Sequence, residues 1–406
     1  MNSTLRTSIA HSLFLRRFTI SVISFLTLVD LFAAQAILPT LAAAYQVSPA
    51  AISLAVNAST FGMAAAGIVV ALLSHRIDHR KGIIVSLALL SIPTALLALQ
   101  PSLPIFAALR VTQGVFMSTA FTLAMAYLAE HSCPNMLAGA LAAYVTGNVG
   151  SNLVGRFMSA ALADHYGLTA NFLVLAGLNL FGAILVFATL ERVASMVEPP
   201  AEASSMQMAG AWHKHLKNPA LVAAFGIGFL ILFAFIGTFS FVNFVLVREP
   251  LSLNQMSVGF VYFVFAPALV LTPFAGRLAN TVGSVLALRL AFGLAIVALP
   301  LLVLPYLDGV LLGLALVAIG TFGAQAIATG LVSRLATSNR AAASGLYLAS
   351  YYLGGLAGTA ILGRIFDSLG WPATVVAIGG SLAVALLLSS RLTPGTRALA
   401  PAMTRS

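Results

Sequence analysis

Long apolar runs dominate the chain, and its polar residues gather in the short stretches between them. Each run holds about 20 residues, the length an α-helix needs to cross a hydrocarbon core. The runs show no alternation of apolar and polar positions, so they read as helices and not as strands of a barrel. The expected spans are 18–39, 51–73, 82–99, 104–128, 136–162, 169–190, 219–247, 254–276, 284–305, 309–332, 341–366 and 372–391. Connections are short and hold Pro, Ser, Asn or a charge, as in Gln100-Pro101-Ser102-Leu103-Pro104. One is long: 191–217, with Pro199-Pro200 and then Trp212-His213-Lys214-His215-Leu216-Lys217. It divides the chain into 1–190 and 218–406, six spans each.

Composition removes the soluble alternatives. Of 406 residues, 60% are hydrophobic and 7% are charged, against roughly 25% charged in an ordinary soluble domain. The bilayer must therefore be the solvent, and there every backbone polar group needs an internal partner, which helices provide. The expectation is an all-α integral membrane protein.

Charge placement then orients it. With the N-terminus inside, the cytoplasmic segments hold Arg6, Arg16, Arg17, Arg76, Arg80, Lys81, Arg192, Lys214, Lys217, Arg277, Arg334, Arg340, Arg391, Arg397 and Arg405. Only Arg248 falls in an external loop, while Arg110, Arg156, Arg289 and Arg364 fall inside spans. Such a bias places both termini in the cytoplasm and makes 191–217 a cytoplasmic linker. The net charge of +10 serves topology and anionic lipid headgroups, so no nucleic-acid partner is implied. Arg16-Arg17, an apolar run and Ala34-Gln35-Ala36 mimic a cleavable signal. The run is long, holds Asp30 and leads to no soluble domain, so it reads as a retained span. The lone Cys133 permits no intrachain disulfide.

The two halves repeat. Tyr144-x-x-Gly147-x-x-Gly150-x4-Gly155-Arg156 in span 5 recurs 208 residues later as Tyr352-x-x-Gly355-x-x-Gly358-x4-Gly363-Arg364 in span 11. The same offset carries Phe25 onto Phe233, Asp30 onto Thr238 and Gln35 onto Asn243. At an offset of 205, the Ala71–Asp78 segment after span 2 matches Gly276–Gly283 after span 8. Two pseudo-symmetric six-helix bundles follow, of the kind that rock about a midplane site. The repeated glycines Gly147, Gly150, Gly155, Gly355, Gly358 and Gly363 are expected to let helices pack closely.

The 6+6 plan, the segment after span 2 and Arg110-x-x-Gln113-Gly114 of span 4 resemble the major facilitator superfamily. The span 4 motif is similar to that of its twelve-helix drug:proton antiporters. Gln35-x-x-Leu38-Pro39, Val47-Ser48-Pro49-Ala50 and Asn218-Pro219 resemble a bacterial efflux subgroup. The resemblance implies a monomer in the bacterial inner membrane that exchanges a small molecule for protons, and it makes Gly114 a packing glycine. It also implies a cytoplasmic latch around His75, Arg76, Asp78 and Arg80. His75 stands where the family has an aspartate, so Asp78, one turn later, is the carboxylate available to face a helix N-terminus. The span 5 antiporter motif lacks its proline.

An ionisable group inside a span is costly and usually functional. Asp30 is the one acid well inside a span, and Arg110 lies at a similar depth in span 4. Burial disfavours a charged form and an opposite charge favours it. Asp30 is thus expected to bind the coupled proton with Arg110 as counter-charge. The alternative is a permanent pair that only orients helices. Arg156 and Arg364 have two readings, as snorkelling cations paired with Asp164 and Asp367 or as contacts for an anionic substrate. Gln35, Gln113, Asn148, Asn152 and Asn243 are the further candidate substrate contacts; like Asn57 and Gln325 they need partners in lipid, and interhelical hydrogen bonds are the other reading. Phe239, Phe241, Phe244, Tyr262 and Phe265 could line an apolar pocket.

No Walker A loop, G-x-S-x-G or zincin spacing occurs in the sequence, so no enzyme, cofactor or metal site is expected. The expected function is secondary transport of a small organic molecule, as proton-coupled efflux. Uptake of a neutral or anionic solute and a non-transporting membrane sensor are the alternatives.

Overall fold

The computed structural model describes residues 3–73, 77–131, 140, 143–144, 146–190, 212–336 and 340–392. Its elements are helices throughout, with no strand among the described residues. Among the described residues, ten helical stretches are long and apolar enough to cross a membrane. Two of them, Thr146–Thr189 with 44 residues and Ala342–Arg391 with 50, are far longer than one crossing needs. Each breaks at a glycine, Gly167 (φ 81°, ψ 173°) and Gly370 (φ 79°, ψ −174°). That conformation is essentially reserved for glycine. Spans 5 and 6, like spans 11 and 12, are therefore joined through one residue, and counting each stretch twice gives twelve crossings.

Local chemistry sets the other ends. Span 1 is longer than expected, running Ser3–Ala36, and a short helix Leu38–Tyr45 follows it with a proline in its first turn. Pro39 lacks the N–H that would continue span 1. Asn218 caps span 7 by accepting from the N–H groups of Ala220 and Leu221 at 3.0 and 3.4 Å, with Pro219 opening the helix. Span 2 shows the inside-out logic of a bilayer protein. Leu54, Phe61 and Val69 are exposed at helical spacing, while Ser53, Asn57, Ser59 and Thr60 are buried.

Glycines bring helices within backbone contact. A Cβ on Gly114 would overlap the Ser59 carbonyl oxygen of span 2, and one on Gly62 would overlap that of Val111. In span 5 a Cβ on Gly147 would overlap Ser21 O of span 1. Its counterpart in span 11 is Gly354, which meets Phe229 O, whereas Gly355 faces only the Leu232 and Ile236 side chains. Ser21 and Phe229 are 208 apart, but Gly147 and Gly354 are 207 apart. The burial pattern agrees, since Thr146 and Val154 are exposed like Leu353 and Ile361. The sequence repeat is thus one residue out of register with the packing repeat. Gly358 meets Phe233 O at 2.6 Å, Gly155 meets the Val29 side chain, and Gly363 meets Ala50. Gly150 has nothing within 4 Å of its would-be Cβ, which corrects its expected packing role.

The latch expectation also changes. Arg80 is buried and donates to the carbonyls of Leu190 (2.7 Å) and Phe187 (2.5 Å), over the Phe187 ring. It caps the end of span 6, within its own half. Asp78 accepts from Lys81 N at 3.0 Å and so caps its own span 3, not a helix of the other half. A side chain immediately before a helix start reaches that helix first. His75 and Arg76 lie outside the described residues.

Gly114→Ala or Gly147→Ala should each cost about 1–3 kcal/mol by forcing helices apart, and Gly150→Ala should be neutral. Thermal unfolding of the purified variants in detergent checks this ordering. Asp78→Ala should remove an N-cap worth about 0.5–1 kcal/mol. The bonded Lys81 N–H holds the Asp78 carboxyl below the usual carboxylate range. The cap is therefore fully present above the unfolded carboxyl value and fades as the pH falls through the lower folded one. Melting curves of wild type and variant should converge in acid.

Candidate functional site

Two buried polar clusters stand out. The first lies wholly among spans 1–4 and 6. Asp30 is 2% exposed and Arg110 is 1% exposed. They are neighbours, as their depths suggested, but Arg110 donates to the Asp30 backbone carbonyl at 3.1 Å and not to its carboxylate. The guanidinium is instead anchored to Val56 O (2.8 Å), Gln113 Oε1 (2.7 Å) and Ser59 Oγ (3.2 Å). The Asp30 carboxylate accepts through Oδ2 from Asn179 Nδ2 at 2.6 Å, with Thr94 Oγ1 at 3.5 Å. Its Oδ1 has no hydrogen-bond partner among the described residues.

Gln113 belongs to this cluster. It accepts from Arg110 and donates to Thr94 Oγ1 at 2.6 Å. A chain of bonds thus runs from Arg110 through Gln113 and Thr94 towards Asp30. That corrects the substrate-contact expectation for Gln113, which sits inside the first half. Asn179 and Thr94 were missed. The signal for Asn179 was present, since an asparagine midway along an apolar span needs a partner in lipid.

The second cluster joins the halves. Asn243 Nδ2 donates to Gln35 O at 2.9 Å, Gln35 Nε2 to Asn57 Oδ1 at 2.7 Å, and Asn57 Nδ2 to Ser240 Oγ at 3.3 Å. Nearby, Gln255 Nε2 donates to Ala36 O at 2.9 Å and Thr40 Oγ1 to Gln255 Oε1 at 3.0 Å. Ala50 N, at the start of span 2, donates to Asp367 Oδ1 of span 11 at 3.2 Å. Gly259 of span 8 lets Ala160 of span 5 approach its backbone.

Arg156 sits in this seam and is 0% exposed. Its Nη2 donates to Gln35 Oε1 at 2.5 Å, while Nε and Nη1 have no partner among the described residues. Five rings surround the guanidinium carbon at 4.6–5.9 Å: Phe32, Phe235, Phe239, Tyr262 and Phe265. It therefore neither snorkels nor meets Asp164, which lies beside His165 at 3.7 Å. Two irregular turns face each other here. A π turn, Ser151–Gly155, immediately precedes Arg156. A 3₁₀ turn, Tyr262–Val264, interrupts span 8. In such a turn residues i and i+3 eclipse, so Tyr262 and Phe265 stack with rings 6.1 Å apart and 6° from parallel. Tyr262 OH donates to Asn243 Oδ1 at 2.5 Å. Phe241 and Phe244 instead pack on Phe366.

Arg364 is exposed and lies apart from this cage. The register offset explains the correction. The packing counterpart of Arg156 is Gly363, and one further residue turns an α-helical side chain by about 100°. Asn152 is buried and Asn148 half-buried, one and two turns before Arg156, and the Oδ1 atoms of both lack partners among the described residues.

The sequence profile of the Major Facilitator Superfamily matches residues 20–337. An uncharacterised transporter of that type from Bacillus subtilis, YybF, is 28% identical over 368 residues, covering 91% of both chains. The inner membrane transport protein YnfM of Escherichia coli is 26% identical over 364 residues, covering 89% of this chain and 86% of its own. Among solved structures, a bacterial homologue of the human lysosomal transporter Spinster, inward-facing and unoccupied, superposes with a TM-score of 0.69 at 16% identity, covering 94% of each chain. With the profile spanning most of the chain, over a helical fold of twelve crossings, the protein belongs to the Major Facilitator Superfamily and is a transporter of that type.

Proposed function

We propose that the chain is a proton-coupled exporter of a small organic molecule, working by alternating access in the bacterial inner membrane. Asp30 carries this reading. It is a buried carboxylate with one oxygen held by Asn179 and the other unpartnered. A permanent structural pair would use both oxygens on the nearby guanidinium, as bidentate pairs do. Here Arg110 is committed to carbonyls, Gln113 and Ser59, and Asp30 keeps an acceptor for a proton.

The outward direction rests on the resemblance of Arg110-x-x-Gln113-Gly114 to drug:proton antiporters. The cytoplasmic termini rest on the charge bias. The halves 1–190 and 218–406, joined by the linker 191–217, would rock as monomeric bundles around the seam. Gln35, Asn148, Asn152, Arg156 and Asn243 would meet the substrate there, and Arg364 would not. Proton and substrate sites are then neighbours on span 1, five residues apart at Asp30 and Gln35.

Asp30→Asn should lose flux driven by an imposed pH gradient in proteoliposomes while keeping its fold and its substrate exchange. Full gradient-driven transport by this variant would end the coupling role. Direction is read in intact cells with a panel of labelled organic solutes. Cells carrying the protein should retain less of the transported solute, and an uncoupler should abolish the difference. Accumulation that collapses with the uncoupler would instead make it an uptake carrier.

A further inference from the structure

Arg156 is a cation held away from water with no acid bonded to it among the described residues. Burying such a charge unpaired is costly, and the five rings around it offset only part of that cost. Each cation–π contact contributes ~0.5–2 kcal/mol. Two of its donors, Nε and Nη1, remain unused. Each can donate a charge-assisted hydrogen bond to a carboxylate oxygen. The same face of span 5 continues with the unpartnered amide oxygens of Asn152 and Asn148. Asn152 lies one turn before Arg156, across the π turn Ser151–Gly155.

We infer that this seam binds an aromatic monocarboxylate with a hydrogen-bond donor at its far end. The carboxylate accepts from the donors of Arg156 that Gln35 leaves free. The ring lies against the aromatic wall that includes Phe239 and Tyr262 of the second half. The distal hydroxyl or amine donates to Asn152. Aromatic faces accept flat rings at little entropic cost, so a planar ligand fits this wall better than a puckered one. Because Arg156 belongs to the first half and most of the rings to the second, the ligand contacts both. The inference rests on reading the seam as the substrate site, and it is independent of proton coupling and direction.

The test is equilibrium binding to the purified full-length protein in nanodiscs, by calorimetry. The probes are 4-hydroxybenzoate, benzoate, 4-hydroxybenzamide and 4-hydroxycyclohexanecarboxylate. The expected order is 4-hydroxybenzoate tightest, benzoate weaker, and the neutral amide and the saturated acid each at least tenfold weaker than 4-hydroxybenzoate. Arg156→Gln should abolish 4-hydroxybenzoate binding. Arg156→Lys, which keeps the charge, should weaken it tenfold or more, and Arg364→Gln should leave it unchanged. If the amide or the saturated acid binds as well as 4-hydroxybenzoate, or if Arg156→Lys binds like wild type, the inference is overturned. The ligand series on the wild-type protein decides the matter even if a variant fails to fold. Binding in this order without gradient-driven flux would leave the inference standing and remove the proposed export. Proton-driven flux of other solutes with no binding of these acids would do the reverse.

Discussion

A guanidinium kept from water must find oxygens or aromatic faces, and much of the interior is arranged around two that do so differently. Arg110 is saturated. It ties the backbones of spans 1 and 2 to span 4 through Asp30 O and Val56 O, and it can do so because Gly62 and Gly114 let spans 2 and 4 touch. Arg156 has one oxygen and five rings. The first arrangement makes a rigid half. The second makes a seam whose charge is incompletely satisfied, and it draws its partners from both halves.

Depth along the membrane was legible in the sequence, and rotation about each helix was not. Counting residues placed Asp30 beside Arg110, yet it could not show that the guanidinium turns to carbonyls while the carboxylate turns to Asn179. The repeat was legible as well, but its sequence register differs by one from its packing register. A single residue is about 100° on a helix, enough to put Arg156 in the core and Arg364 on the surface. Gln35 and Asn243 came out together because spans 1 and 7 keep the 208-residue register in both senses. The aromatic cage was only partly legible, since a Phe in an apolar helix carries no signal of which way it points.

The non-α turns matter for the same reason. Helix packing in a bilayer leaves few ways to re-aim a side chain, and an i→i+5 or i→i+3 turn is one of them. The π turn before Arg156 and the 3₁₀ turn at Tyr262 meet across the seam. Neither could be read from hydropathy, because a change of hydrogen-bond spacing within a helix leaves no mark on the order of apolar residues.

Arg80 has a mechanical consequence. By holding the carbonyls of Phe187 and Leu190, it clamps the final turn of span 6 to the start of span 3. The chain then leaves the first half from a fixed post. Fraying at the end of span 6 must break both bonds of a buried guanidinium, so the end of span 6 and the start of span 3 loosen together and not one at a time.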